Sequence, residues 1–191
     1  LRNRIDRYRP VRVPGLPPLV AGAIGYFAYD MVRLIERIPD NTRDDVGMDD
    51  AVMMFFLGLV VFDHVRHRLW IVRNVFTDGE GSLRTKYNQA VREIRATRRR
   101  LDESVAAEHP KRRRPRPLKI TSNFTRAKFL KAVRKSKEYI RAGDIFHVAI
   151  SQRFTAQTDA DPFEIYRALR VVNPSPYMYF LKLGDTSVIG S

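Results

Sequence analysis

The sequence predicts a mixed α+β fold, mainly antiparallel sheets with flanking helices, on three observations. Apolar runs at Ala51 to Phe62 and Leu69 to Val75 bracket the polar turn Asp63 to Arg68, as in a hairpin with a long turn. Three later segments place apolar residues at helical spacing between start and stop signals. A last alternating stretch, Tyr177 to Leu183 and Thr186 to Ile189, folds back tightly at Gly184-Asp185.

Each element follows from its residues in turn. Pro10, Pro14, Pro17 and Pro18 make the entry segment extended, because each fixes its own φ and biases the preceding residue away from helix. In LVAGAIGYFAYDMVRLIERIP, Gly22 and Gly25 lie in an apolar run; Met31, Leu34, Ile35 and Ile38 then share a helical face until Pro39 stops it. Gly22-Ala23-Ile24-Gly25 lacks the third glycine of a dinucleotide fingerprint, so its glycines read as permitting close packing. Asp40 to Asp50 is an acidic surface loop. Ser82 to Leu101 is helical, with Leu83, Tyr87, Ala90, Val91, Ile94 and Leu101 as its apolar positions, arginines between them and a solvated opposite face. Residues 102–119 hold three prolines and the run Lys111 to Arg114, which makes them a linker. The next helix takes Asn123 or Thr125 as its cap, buries Phe129, Leu130, Val133 and Ile140, and stops at a left-handed Gly143. Ile145 to Phe154 reads as a strand, with Phe146, Val148, Ile150 and Phe154 on a core face and Ile145, His147, Ala149, Ser151 and Arg153 on a small, polar one. Asp161-Pro162-Phe163-Glu164 starts the last helix, which ends at Asn173-Pro174-Ser175-Pro176.

Composition narrows the function. Of 191 residues 44% are hydrophobic, which excludes disorder of the whole chain. Absence of cysteine excludes disulfides, thiolate metal sites and Cys nucleophiles, and fits a cytoplasmic setting. Ala51 to Phe62 is too short for the roughly 20 residues of a membrane span, and the basic opening leads into prolines instead of an apolar signal segment, so no membrane is expected. The formal charge of +14 first points to an anionic partner, but it is localised. Residues 1–80 are neutral overall, residues 81–120 carry +9 and residues 121–191 carry +5. With no aromatics interleaved among its arginines, the run at 111–116 reads as a solvated, proline-stiffened linker, and no nucleic acid is expected. A basic nucleic-acid-binding module is the alternative from another class. The chain opens without Met and stops at Ser191 directly after an apolar alternation, so it reads as a fragment with an exposed strand edge, prone to aggregation or partial order.

Few residues carry chemistry by themselves. His64 and His67 flank a turn beside Asp63, but three residues apart they need not converge on a metal. His109 in the linker has no visible partner. His147 sits mid-strand on the small, polar face, where an imidazole could act as acid, base or hydrogen-bond donor; a strand histidine bonded to a neighbour fits its position equally. No paired carboxylates, phosphate loop or Ser-His-Asp order emerges, so the residue chemistry gives no complete active site.

Taken together, GAIGYFAYDMVRLIERIPD, DDVGMDDAVMMFFLGLVVFDHVRHRLWIV, KSKEYIRAGDIFHVAISQRF and DPFEIYRALRVVNPSPYMYFLKLGDTSVIGS resemble the large subunit (component I) of anthranilate synthase, in the chorismate-utilising enzyme family. The resemblance covers nearly the whole chain except the linker. It implies a partial two-domain fold: residues 1–101 from the later part of the N-terminal domain, 102–119 a linker, and 120–191 the opening of the chorismate-binding domain. It further implies a Mg2+-dependent lyase of tryptophan biosynthesis, acting on chorismate with ammonia supplied by a glutamine amidotransferase partner (component II). NPSPYM and the acidic loop after GYFAYD favour this branch over the aminodeoxychorismate and isochorismate synthases.

In the family the magnesium-binding glutamates lie beyond the point matching Ser191, so the resemblance implies no metal site and no activity in residues 1–191 alone. Pro176, Tyr177 and Met178 match the segment that contacts the inhibitor tryptophan in feedback-regulated members; the Leu-Glu-Ser type motif of the other half-site is absent from this sequence. His147 aligns with the substrate-facing catalytic position that usually carries glutamine in this branch and lysine in isochorismate synthases. Ala21 and Ala28 stand where glycine is commoner.

Overall fold

Antiparallel strand pairs and helices alternate along the chain in two units, Leu1–Glu108 and His109–Ser191. The computed structural model describes residues 2–6, 8–9, 11, 13–103 and 117–191; Pro10, His109 and the basic run at 111–116 lie outside the described residues.

In the first unit a short α1 (Arg2–Ile5) precedes the proline-rich entry, where the Tyr8 ring packs against Phe76 with centroids 5.1 Å apart. β1 (Gly22–Phe27) pairs antiparallel with β2 (Ala51–Phe56), from Gly22 opposite Phe56 to Phe27 opposite Ala51. Close packing is what Gly25 provides: a Cβ there would strike the Val52 carbonyl oxygen. The helix expected from Met31 to Ile38 is only a 3-10 helix, Tyr29–Leu34. The cause is Arg33, whose guanidinium bonds the Asp30 carboxylate (2.8 Å) and the Pro39 carbonyl (2.7 Å) and pairs with Asp40 (3.4 Å). That closes the chain back on itself and leaves Ile35 83% exposed.

The single strand expected over Ala51 to Phe62 is two. β2 ends at Phe56 and β3 (Gly58–Asp63) pairs instead with β4 (Arg68–Arg73). At the break the Leu57 carbonyl accepts from the Asn74 backbone N–H (2.7 Å) and side-chain amide (3.3 Å), and the same amide donates to Val20 (2.6 Å). Asn74 thus ties the change of partner to the start of β1. The hairpin turn is set by Asp63, which accepts from the backbone N–H groups of Val65 (3.1 Å) and Arg66 (3.0 Å), with His67 left-handed at φ 53°.

α2 (Leu83–Asp102) opens where the sequence places it, with the Ser82 hydroxyl accepting from the Thr85 N–H (3.1 Å). It lies against β4, where Arg73 and Glu93 form an ion pair of 2.5 Å. Ala90 on this face is the one buried residue among those described.

In the second unit β5 (Thr121–Ser122) precedes α3 (Arg126–Ala142), capped by Thr125, whose hydroxyl accepts from Lys128 N–H (3.3 Å), and ended by Gly143 at φ 82°. Phe129 and Val133 are half-buried, whereas Leu130 and Ile140 of the expected stripe are exposed. The strand expected over Ile145 to Phe154 shrinks to β6 (Phe154–Thr155), paired with β5. A strand needs a neighbour to satisfy its backbone groups, and no described strand pairs with residues 145–153. The supposed core face is therefore open, with Phe146 97% exposed. α4 (Pro162–Val172) starts as its sequence dictates: the Asp161 carboxylate accepts from Phe163 (2.8 Å) and Glu164 (3.3 Å) N–H groups. Phe163 and Tyr166 meet Phe180 of β7 (Tyr179–Leu183), which pairs with β8 (Thr186–Gly190) through the Gly184-Asp185 turn. Mixed helices and small antiparallel sheets are thus the observed class.

Candidate functional site

The chemistry-bearing residues of the second unit sit on two segments whose ends are fixed. His147 lies between α3 and β6, on chain without regular secondary structure that leaves α3 at the left-handed Gly143. Its far end is tied down at Arg153, whose N–H donates to Asn123 Oδ1 (2.8 Å) while its carbonyl accepts from Asn123 N–H (3.1 Å). Beside it Gln152 donates to the Ser122 hydroxyl (2.7 Å). Between these anchors the His147 imidazole is exposed and has no hydrogen-bond partner among the described residues. An imidazole so placed can accept or donate a proton to a ligand that reaches it.

The second segment is the turn Pro176-Tyr177-Met178, between α4 and β7. Tyr177 N–H donates to the Ser175 hydroxyl (3.2 Å), and the phenol ring stands 85% exposed, with Met178 half-buried behind it. Below the turn, the Ser191 hydroxyl donates to the Asn173 carbonyl (2.6 Å), and the Tyr179 ring crosses Gly190 so closely that a Cβ there would run into it. No hydrogen bond joins His147 to this turn among the described residues. A hollow of about 520 Å³ on the outer face of α4, beside Glu164, Arg167 and Val171, is lined by neither segment.

The helix that leads into the His147 segment is strongly positive. α3 carries Arg126, Lys128, Lys131, Arg134, Lys135, Lys137 and Arg141 against one acid, Glu138, which is 3.2 Å from Lys135. Such a field favours an anionic ligand. No three His, Asp or Glu side chains gather into a metal-holding group among the described residues. At the His64–His67 turn one oxygen of the Asp63 carboxylate, Oδ1, accepts from the backbone N–H groups of Val65 and Arg66.

Sequence reading misses two positioning residues. Asn123 reads as a helix cap, and only its pairing with Arg153, thirty residues on, shows its use. Asn74 carries no local signal, because both its acceptors are distant carbonyls.

Known proteins like this one are consistent in kind. The family model for chorismate binding enzyme matches residues 2–191. Anthranilate synthase component 1 of Acetivibrio thermocellus is 38% identical over 199 residues, covering all of this chain and 39% of that protein. Its counterpart in Cereibacter sphaeroides is 39% identical over 191 residues, covering all of this chain and 38% of that protein. The crystal structure of anthranilate synthase component I from Streptococcus pneumoniae TIGR4 matches with a TM-score of 0.73 at 30% identity, over 96% of this chain and 40% of that one. The chain thus spans about two fifths of the length of these relatives.

Proposed function

Because the chain belongs to the chorismate binding enzyme family, we propose that it is part of an anthranilate synthase component I, a lyase that converts chorismate and ammonia to anthranilate and pyruvate in the first step of tryptophan biosynthesis. The observation that carries this reading is the likeness to anthranilate synthase component 1 along the entire chain, at 38% and 39% identity in two of its relatives. Chorismate is a dicarboxylate, and the lysines and arginines of α3 supply the attraction that such an anion needs. In this reading the amine is delivered by a glutamine amidotransferase subunit, component II.

The residues of this chain have separable tasks in the proposal. His147, exposed between fixed ends, faces the substrate ring where the amine adds, at the position that usually carries glutamine in this branch. Pro176, Tyr177 and Met178 form one wall of an inhibitor site for tryptophan, the exposed phenol being available for contact. Magnesium would clamp the substrate carboxylate in the whole enzyme. The described residues do not fit such an ion, since no ligand group gathers among them. No described helix is long and apolar enough to cross a membrane, and a cytoplasmic biosynthetic enzyme is the setting proposed.

The test is an assay of the full-length protein with chorismate, Mg2+ and ammonia, scored for anthranilate fluorescence. Anthranilate with release of pyruvate is the expected result. Accumulation of aminodeoxychorismate without pyruvate would move the protein to the aminodeoxychorismate synthases.

A further inference from the structure

We propose that the outer face of α2 is a docking ridge for an acidic protein surface, and, resting on the reading above, that this surface belongs to the glutamine amidotransferase subunit. At 100° per residue, Arg84, Asn88, Arg92, Arg95 and Arg99 fall within an arc of about 80°, and the row runs about 22 Å along the axis. All five are exposed. The opposite face, with Ala90 and Ile94, is occupied by the β3–β4 hairpin, so the helix is a platform with its ridge outward.

Among the described residues the ridge has no counter-charge. Glu93 and Asp102, the two acids of α2, are engaged by Arg73 (2.5 Å) and Arg98 (3.6 Å). The side chains of Arg84, Arg92, Arg95 and Arg99 make no ion pair or hydrogen bond among the described residues. Arg95 has Arg92 three positions before it and Arg99 four after it, a spacing at which like charges repel unless an anion lies between them. Guanidinium groups pair two-pronged with carboxylates, which suits a protein surface rich in Asp and Glu. Nucleic acid fits less well, because no aromatic side chain shares the row to stack on bases. A lipid surface fits less well again, because the apolar face that would enter it is seated on the hairpin.

The test uses the full-length protein and the amidotransferase subunit from the same organism, comparing the unaltered protein with an Arg92→Glu/Arg95→Glu variant and an Arg92→Lys/Arg95→Lys variant. Affinity is measured by calorimetry across a salt series, beside glutamine- and ammonia-dependent activities. The Glu variant is expected to bind the subunit roughly 30-fold or more weakly at low salt, with a flatter salt dependence. It should lose glutamine-dependent activity at limiting subunit while keeping its ammonia-dependent activity. The Lys variant should retain most of the affinity. Unchanged subunit affinity in the Glu variant overturns the ridge and leaves the enzyme reading standing. So does a ridge-dependent affinity for RNA or phosphatidylserine vesicles alone. No association of the unaltered protein with the subunit overturns both the ridge and the partner it rests on.

Discussion

At the scale of single residues, His147 is the position where chemistry and identity diverge. The sequence places it on the polar side of a strand, and the structure leaves it exposed, without a hydrogen-bond partner among the described residues, on chain that is not a strand. If glutamine is the better residue for guiding the amine, full-length His147→Gln should show equal or higher ammonia-dependent activity; a large fall in kcat would show that the imidazole is used. Asn74 makes a structural prediction. Its amide satisfies the carbonyls of Val20, ahead of β1, and Leu57, between β2 and β3, so in the full-length protein Asn74→Ala should lower stability by about 1–2 kcal/mol, read as a lower urea midpoint with unchanged slope. Asp44 gives a pH signature: hydrogen bonds from Gly47 and Val46 N–H groups hold its carboxyl below the ordinary carboxylate range. A depressed folded value means that the turn's stabilisation is present above that range and is lost as pH falls through the lowered value. A carbon-13 titration of the aspartate carboxyls should show Asp44 among the last to protonate.

Whole elements divide by how local their causes are. Helix ends are legible because cap and helix are adjacent: Ser82, Thr125, Asp161 and Gly143 each act within four residues, and all do what their types imply. Asp161→Ala should accordingly cost the full-length protein about 1 kcal/mol of stability, measurable by denaturant unfolding. Strands are less legible because their cause is a partner elsewhere in the chain. Nothing in Ala51 to Phe62 announces that the backbone changes neighbours at Leu57, and nothing in Ile145 to Phe154 shows that only its last residue finds one. Periodicity reports which side chains alternate, not whether a ladder exists to receive them. Of the candidate site, the turn at Pro176 to Met178 was readable from its prolines, whereas the anchoring of the His147 segment by Asn123 was not, since it spans thirty residues. Gly25 joins the two kinds of reading. That it permits close packing was foreseeable from its apolar setting, though not that Val52 is the neighbour, and in the full-length protein Gly25→Ala should force β1 from β2, costing about 1–3 kcal/mol of stability, read as a lower urea midpoint.

For the molecule as a whole, the decisive quantity is uncovered surface. Among the described residues only Ala90 is buried, whereas a fully buried core side chain ordinarily touches about six or more neighbours and such side chains form a contiguous core. Each described sheet has only two strands, which in isolation are marginally stable. Apolar side chains line the open faces, Phe146, Tyr177 and Val172 among them. Hydrophobic burial is the largest favourable term in folding, so residues 1–191 alone carry too little of it for a sharp cooperative transition. The same sequence within a protein of the relatives' length, of which it spans about two fifths, has further chain against which those faces can pack. Residues 1–191 expressed alone should therefore bind the dye ANS strongly, melt broadly with little near-ultraviolet dichroism, and associate at micromolar concentration. The full-length protein should bind little dye and melt sharply. A narrow, dye-free unfolding transition in the isolated chain would mean that its half-buried contacts suffice, and that its open strand edges and exposed aromatics are tolerated without further cover.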